Sequence, residues 1–154
     1  MTASGGRATV GNVNVHDVAA YILKKCGPMS AMKLQKLVYY CQAWSLVWEE
    51  RPLFPERIEA WASGPVAPDL YREHKGQFLL KDWKERGSPK KLSGDDKETI
   101  DVVLKAYGHR NAQQLSELTH REAPWKNARN GLAPGDPGTE TITHEAMSEY
   151  YSSL

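Results

Sequence analysis

Between Leu34 and Trp48 the apolar residues Leu34, Leu37, Val38, Cys41, Trp44 and Trp48 recur at i, i+3, i+4 and i+7 spacing. That period places them on one face of an α-helix and is incompatible with the two-residue repeat of a strand. Ser30 supplies an N-cap for it, and the pattern predicts a helix from Ser30 to about Glu49. A helix this long with a continuous apolar stripe must be buried against other elements, so the rest of the chain is expected to wrap around it.

The flanking segments agree. Asn14, with Asp17 three residues on, reads as a capped start for a helix from Val15 to Cys26, ended by Gly27-Pro28. Pro52 and Pro55 impose an extended stretch, and Arg57–Trp61 alternates polar and apolar as a half-buried strand does. Gly64-Pro65 is a turn signal. Pro68 begins a short helix to about Lys75, closed by Gly76, while residues 77–92 read mostly as loop. Ser93 with Asp96 resembles a capping box for a helix that turns Ile100, Val103, Leu104 and Tyr107 inward and stops at Gly108. Helical pieces at Asn111–His120 and Pro124–Asn130 follow, the second with proline at its first position. Gly131–Gly138 is a loop, Thr139–Thr143 a second short strand set to pair with Arg57–Trp61, and Thr143 caps a last helix carrying Ala146, Met147, Tyr150 and Tyr151. The expected fold class is mainly α (α+β): a single compact helical domain of about six helices with a small two- or three-stranded β-element. Residues 1–13 are expected to be a flexible lead and 14–154 the folded domain.

With 154 residues the chain is long enough for a proper core without staples. Its 20 basic and 19 acidic residues leave a formal net charge of +1, which gives no support to broad electrostatic binding of nucleic acid. No apolar run reaches the roughly 18 residues of a membrane helix, and Met1–Gly11 lacks the apolar segment of a signal peptide; a cytoplasmic protein is expected. Cys26 and Cys41 both fall in apolar helical patterns and read as small buried hydrophobes rather than a disulfide or redox pair.

Three places invite a chemical reading. Lys33 and Lys36 lie in the first two turns of the long helix, where positive charge opposes the helix dipole by about 0.3–1 kcal/mol for the nearer one. They answer either an acidic or phosphate-bearing partner, or they snorkel over the apolar face. Gly64-Pro65-Val66-Ala67-Pro68 is rigid and poor in side-chain hydrogen-bonding groups, so it has little entropy to lose on docking, with Trp61 before it and Tyr71 after it as anchors; it reads equally as a tight strand-to-helix connection. Thr119–Trp125 contains His120 and Glu122 in an H-x-E pattern, but the P-C-x-x-C of a zinc deaminase is missing. None of the five histidines forms a ligand pair. The reading there is structural: Thr119 and His120 bond backbone where two helices meet, and Trp125 fills the corner. No nucleophile elbow or phosphate loop is present, and no catalytic residue, metal or cofactor is expected.

Three segments carry a family resemblance: Lys33–Tyr40 (KLQKLVYY), Ala60–Tyr71 (AWASGPVAPDLY), and Tyr107-Gly108 continuing through Leu115–Trp125 (LSELTHREAPW). In that order and spacing, with the closing Ile142–Tyr151 segment, they resemble the SocA-like antitoxin family, the Panacea domain, over about residues 15–152. The resemblance implies an antitoxin that neutralises a protein toxin encoded beside it by direct contact, in a bacterial or phage-like system. Because family members pair with varied toxins, it does not identify the target. One branch implies an adaptor delivering the toxin to a ClpXP-type protease. Some relatives carry an added helix-turn-helix or other DNA-binding segment; this chain has no room for one, which puts autoregulation of its operon in doubt.

The contact surface expected from residues and resemblance together comprises Lys33, Lys36, Tyr40, Trp61, Gly64, Pro65, Val66, Pro68, Tyr71, His120 and Trp125. Toxin blocking is the leading reading and protease adaptor the second. Third is an unfamiliar small enzyme built from Asp69, Tyr71, His74 and His120, and last a nucleic-acid reader. Homo-oligomerisation is left open, and no membrane partner is expected.

Overall fold

In the computed structural model, residues 12–154 are described; residues 1–11, most of the expected lead, lie outside them. Val13 is already buried in the core. Seven α-helices and four short strands follow among the described residues: α1 (Val15–Cys26), β1 (Met29–Ser30), α2 (Ala31–Trp48), β2 (Glu59–Trp61), β3 (Gly64–Val66), α3 (Pro68–His74), β4 (Leu79–Leu80), α4 (Gly94–Tyr107), α5 (Ala112–His120), α6 (Ala123–Ala128) and α7 (His144–Ser152). The architecture is mainly α with a small β-element. None of the described helices is long and apolar enough to cross a membrane.

The caps expected at Asn14, Ser30, Ser93 and Thr143 are all made, with reciprocal capping boxes at Asn14/Asp17 and Ser93/Asp96. Each satisfies backbone donors that the first helical turn leaves without a partner. Pro124 sits at the second position of α6 rather than its first.

Helix α2 is the axis. It packs against α1, α4, α5, α7 and β3, and thirteen of its eighteen residues are buried. The apolar stripe accounts for only part of this. Gln35, Lys36 and Gln42, on the remaining faces, and Ser45, within the stripe, are buried as well, and each is bonded to a specific piece of chain. Gln42 receives the Leu53 and Phe54 amides and donates to the Phe54 carbonyl. Ser45 donates to the Arg51 carbonyl, and Gln35 holds both backbone groups of Ala67. The polar face of α2 is therefore an internal scaffold that fixes the loops.

Four expectations change. Gly64-Pro65 is strand rather than turn: β3 pairs antiparallel with β2 in the register Ala60↔Pro65, and the turn falls on Ala62-Ser63. A proline is accommodated because β3 is an edge strand, where its missing N–H is not required. The second strand expected at Thr139–Thr143 condenses to a single bridge, Glu59↔Thr141, flanked by bonds from the Ala60 amide to Glu140 and from the Ile142 amide to Ile58. Residues 77–92 contain β4, which pairs with β1; two residues per strand carry no readable alternation. Cys41 is buried as expected, but Cys26 is exposed, because it ends α1 where the helix leaves the core.

Candidate functional site

The β2–β3 hairpin is held by backbone carbonyls rather than by its own short ladder. The Ala60 carbonyl accepts Arg129 Nη1 at 3.1 Å, Trp61 accepts Trp125 Nε1 at 2.8 Å, Ser63 accepts Ser116 Oγ at 2.7 Å, and Pro65 accepts Lys36 Nζ at 3.1 Å. Four side chains, from α2, α5 and the body and C-cap of α6, thus clamp one hairpin. Gly64 permits this, since its φ of +118° and the packing of Lys36 against it exclude a side chain.

Lys36 is fully buried beneath this clamp, so neither a snorkelling lysine nor one directly open to a surface partner describes it. Desolvation lowers its pKa from the ordinary lysine value to about 7. Lys33 resolves differently: its amine donates to the Gly108 carbonyl at 2.7 Å. Gly108 caps the C-terminus of α4, the negative end of that helix, which offsets the unfavourable position at the start of α2.

Behind the hairpin lies the α5–α6 corner. Thr119 is buried and bonds the Ser116 carbonyl at 2.7 Å, and the His120 and Trp125 rings stack at 4.0 Å. Thr119 makes its expected backbone bond, within α5, and Trp125 fills the corner as expected, while the His120 ring meets the Ser116 hydroxyl at 3.4 Å. The His120 pKa is lowered, first by burial and then by the positive charges of Lys36 and Arg129. Glu122 receives the hydroxyls of Tyr40 and Tyr151 on one oxygen, both at 2.7 Å, and Tyr39 and Tyr151 hydroxyls meet at 2.9 Å. Burial raises the Glu122 pKa even though both hydroxyl bonds pull it down. Tyr40 also stacks on Tyr107 at 4.0 Å.

The expected contact residues therefore separate. Lys36, Tyr40, Gly64, Pro65, Val66, Pro68 and Trp125 are interior. Trp61, Tyr71 and His120 are half-buried, and around them lie Ala62, the exposed Ser63 and Ser116. Trp61 and Tyr71 meet edge to face at 4.9 Å, and Trp61 Nε1 donates to Glu59 at 2.8 Å. The result is a small amphipathic face on a hairpin that cannot easily move. Sequence reasoning missed Arg129, Gln35 and Tyr151. Arg129 donates to the carbonyls of Ala60, Ala133 and Asp136, tying loop 131–138 to the hairpin; an isolated arginine after α6 gives no such signal.

The hairpin locked onto a long buried helix and the Thr-His-x-Glu-x-x-Trp corner lie within residues 34–126, which match the family described as antitoxin SocA-like, Panacea domain, and the chain belongs to that family. Among its relatives, antitoxin SocA of Caulobacter vibrioides (strain NA1000 / CB15N) is 32% identical over 148 residues, covering 83% of this chain and 74% of that protein. No solved structure matches the chain significantly.

Proposed function

We propose that this protein neutralises a cognate protein toxin, encoded beside it, by direct binding in the cytoplasm and without a catalytic step. The observation that carries the reading, beyond the family, is the hairpin face formed by Trp61, Ser63, Tyr71 and His120. Its aromatic groups are part-exposed, and the hairpin that carries Trp61 and Ser63 is fixed by four side chains. Pre-ordered aromatic groups are what a binding surface needs, because little conformational entropy is lost on contact. The interior residues of the expected set, from Lys36 and Tyr40 to Gly64, Pro65, Val66, Pro68 and Trp125, contribute by holding that face, and Lys33 by fixing the start of α2 against α4.

Co-expression with the product of the adjacent gene tests this. The neighbour alone arrests growth, and the pair restores growth and co-purifies. A harmless neighbour, or one that stays toxic beside well-folded protein, overturns the pairing. Toxin abundance separates the two modes of action: blocking leaves toxin abundant but inactive, whereas delivery to a ClpXP-type protease lowers its level. Growth rescue that survives alanine at both Trp61 and Tyr71 places the contact elsewhere.

A further inference from the structure

On a different part of the molecule, α1 and the loop before α4 enclose a groove of about 730 Å³. Its floor is the buried Ala20, Leu23 and Trp83, and the part-exposed Pro89 gives it an apolar side. Lys24, Lys81, Lys84 and Lys90 surround it, with Asp82 the one acidic residue in the lining. All four lysines are exposed, and none is ion-paired among the described residues. The chain as a whole is nearly neutral, so this concentration of positive charge is local.

The loop that carries these lysines is built in. The Trp83 indole donates to His16 Nδ1 at 3.1 Å, and the Ser88 amide donates to Asp17 at 2.8 Å. Gly87 lies so close to α1 that a Cβ there would fall 2.1 Å from the His16 carbonyl oxygen. Arg86 covers the Trp83 ring at 4.8 Å and pairs with Glu73. The charged rim is thus held at a fixed separation from the apolar side before any ligand arrives.

We propose that this groove docks a short acidic segment of another protein, with carboxylates among the four lysines and one aliphatic side chain against the part-exposed Pro89 and the lysine stems. Charge complementarity selects the occupant. Residues 1–11 of this chain contain no Asp or Glu and cannot supply it. Nucleic acid fits less well: Trp83 is only 2% exposed and offers no free ring for base stacking, and the aliphatic side has no counterpart in a phosphate backbone. No lining residue belongs to the hairpin face, so the groove stands whether or not that face binds toxin.

The test is fluorescence anisotropy with the full chain and a dye-labelled, glutamate-rich peptide carrying one central leucine. Binding that weakens with salt, falls about tenfold or more for Lys84→Glu/Lys90→Glu, and also falls when the peptide leucine becomes serine is expected. The double variant should melt with the wild type, since both side chains are exposed. Absence of wild-type binding, or binding indifferent to the charge reversal, overturns the proposal. Equal affinity for the serine peptide, or tighter binding of a duplex DNA of matched charge, also overturns it by reducing the groove to a general anion patch.

Discussion

Gly64 and Lys36 share one volume: a Cβ on Gly64 would lie 2.5 Å from Lys36 Cε and 3.1 Å from Thr119 Oγ1. Gly64→Ala therefore meets two penalties, the clash and an L-residue at φ +118°. A loss of about 2–4 kcal/mol is expected in chemical denaturation. Combining it with Lys36→Ala separates them. The double variant should be less destabilised than the sum by about 1 kcal/mol, because the clash is gone while the backbone strain remains. Strict additivity would show that the two residues do not contact.

The same lysine gives a pH signature. Its folded pKa of about 7 lies below the ordinary lysine value of 10.5. From pH 7 upward the unfolded chain holds the proton and the folded chain releases it, so stability should rise with pH. Between pH 7 and 8.5 the gain is on the order of 1–2 kcal/mol. Above pH 9 the raised pKa of Cys41 acts in the opposite sense: an unfolded thiol ionises first, which offsets the lysine's contribution, so the curve levels off until the unfolded lysine itself deprotonates near its ordinary value of 10.5. Thermal melts should show the rise for wild type and its loss in Lys36→Met. A rise that survives the substitution would assign it to another group.

These two predictions concern a residue that the sequence placed correctly on α2 and misread in role. Periodicity exposed the apolar stripe from Leu34 to Trp48, because hydrophobic spacing survives in one dimension. It could not reveal that Gln35, Lys36 and Gln42 are buried too, because burial of polar groups depends on partners 11 to 39 residues away. Capping signals at Asn14, Ser30, Ser93 and Thr143 were legible for the converse reason: donor and acceptor lie within three residues. Gly64-Pro65 misled because the dipeptide that usually turns a chain is here an edge strand clamped by α2. The Thr119–Trp125 corner was legible as structure. The Glu122 acceptor site was not, since Tyr40 and Tyr151 reach it from 82 and 29 residues away.

That acceptor site distinguishes charge from hydrogen bonding. Both tyrosine hydroxyls donate to the same Glu122 oxygen, and an amide carbonyl can accept them equally. Glu122→Gln keeps both bonds and removes a buried charge, so stability should stay within about 1 kcal/mol of wild type. Glu122→Val leaves two buried hydroxyls without their acceptor and should lose about 2–4 kcal/mol. A large loss for glutamine would mean that the carboxylate charge itself, rather than its acceptor geometry, holds the corner.

Tyr71 separates binding from folding. It is half-buried, touching Trp61 at 4.9 Å and His74 at 5.3 Å by its ring edges. Removing the ring should reduce stability by only about 1 kcal/mol. If the hairpin face is the contact, Tyr71→Ala should weaken toxin binding about thirtyfold, the scale of a central aromatic anchor. Titration calorimetry against the purified toxin measures the first quantity and thermal denaturation of the free protein the second. The interior variant Glu122→Val supplies the opposite pattern, a lowered melting temperature with near-normal affinity in the molecules that remain folded. Tyr71→Ala behaving like Glu122→Val would make Tyr71 a packing residue and move the toxin contact away from the hairpin.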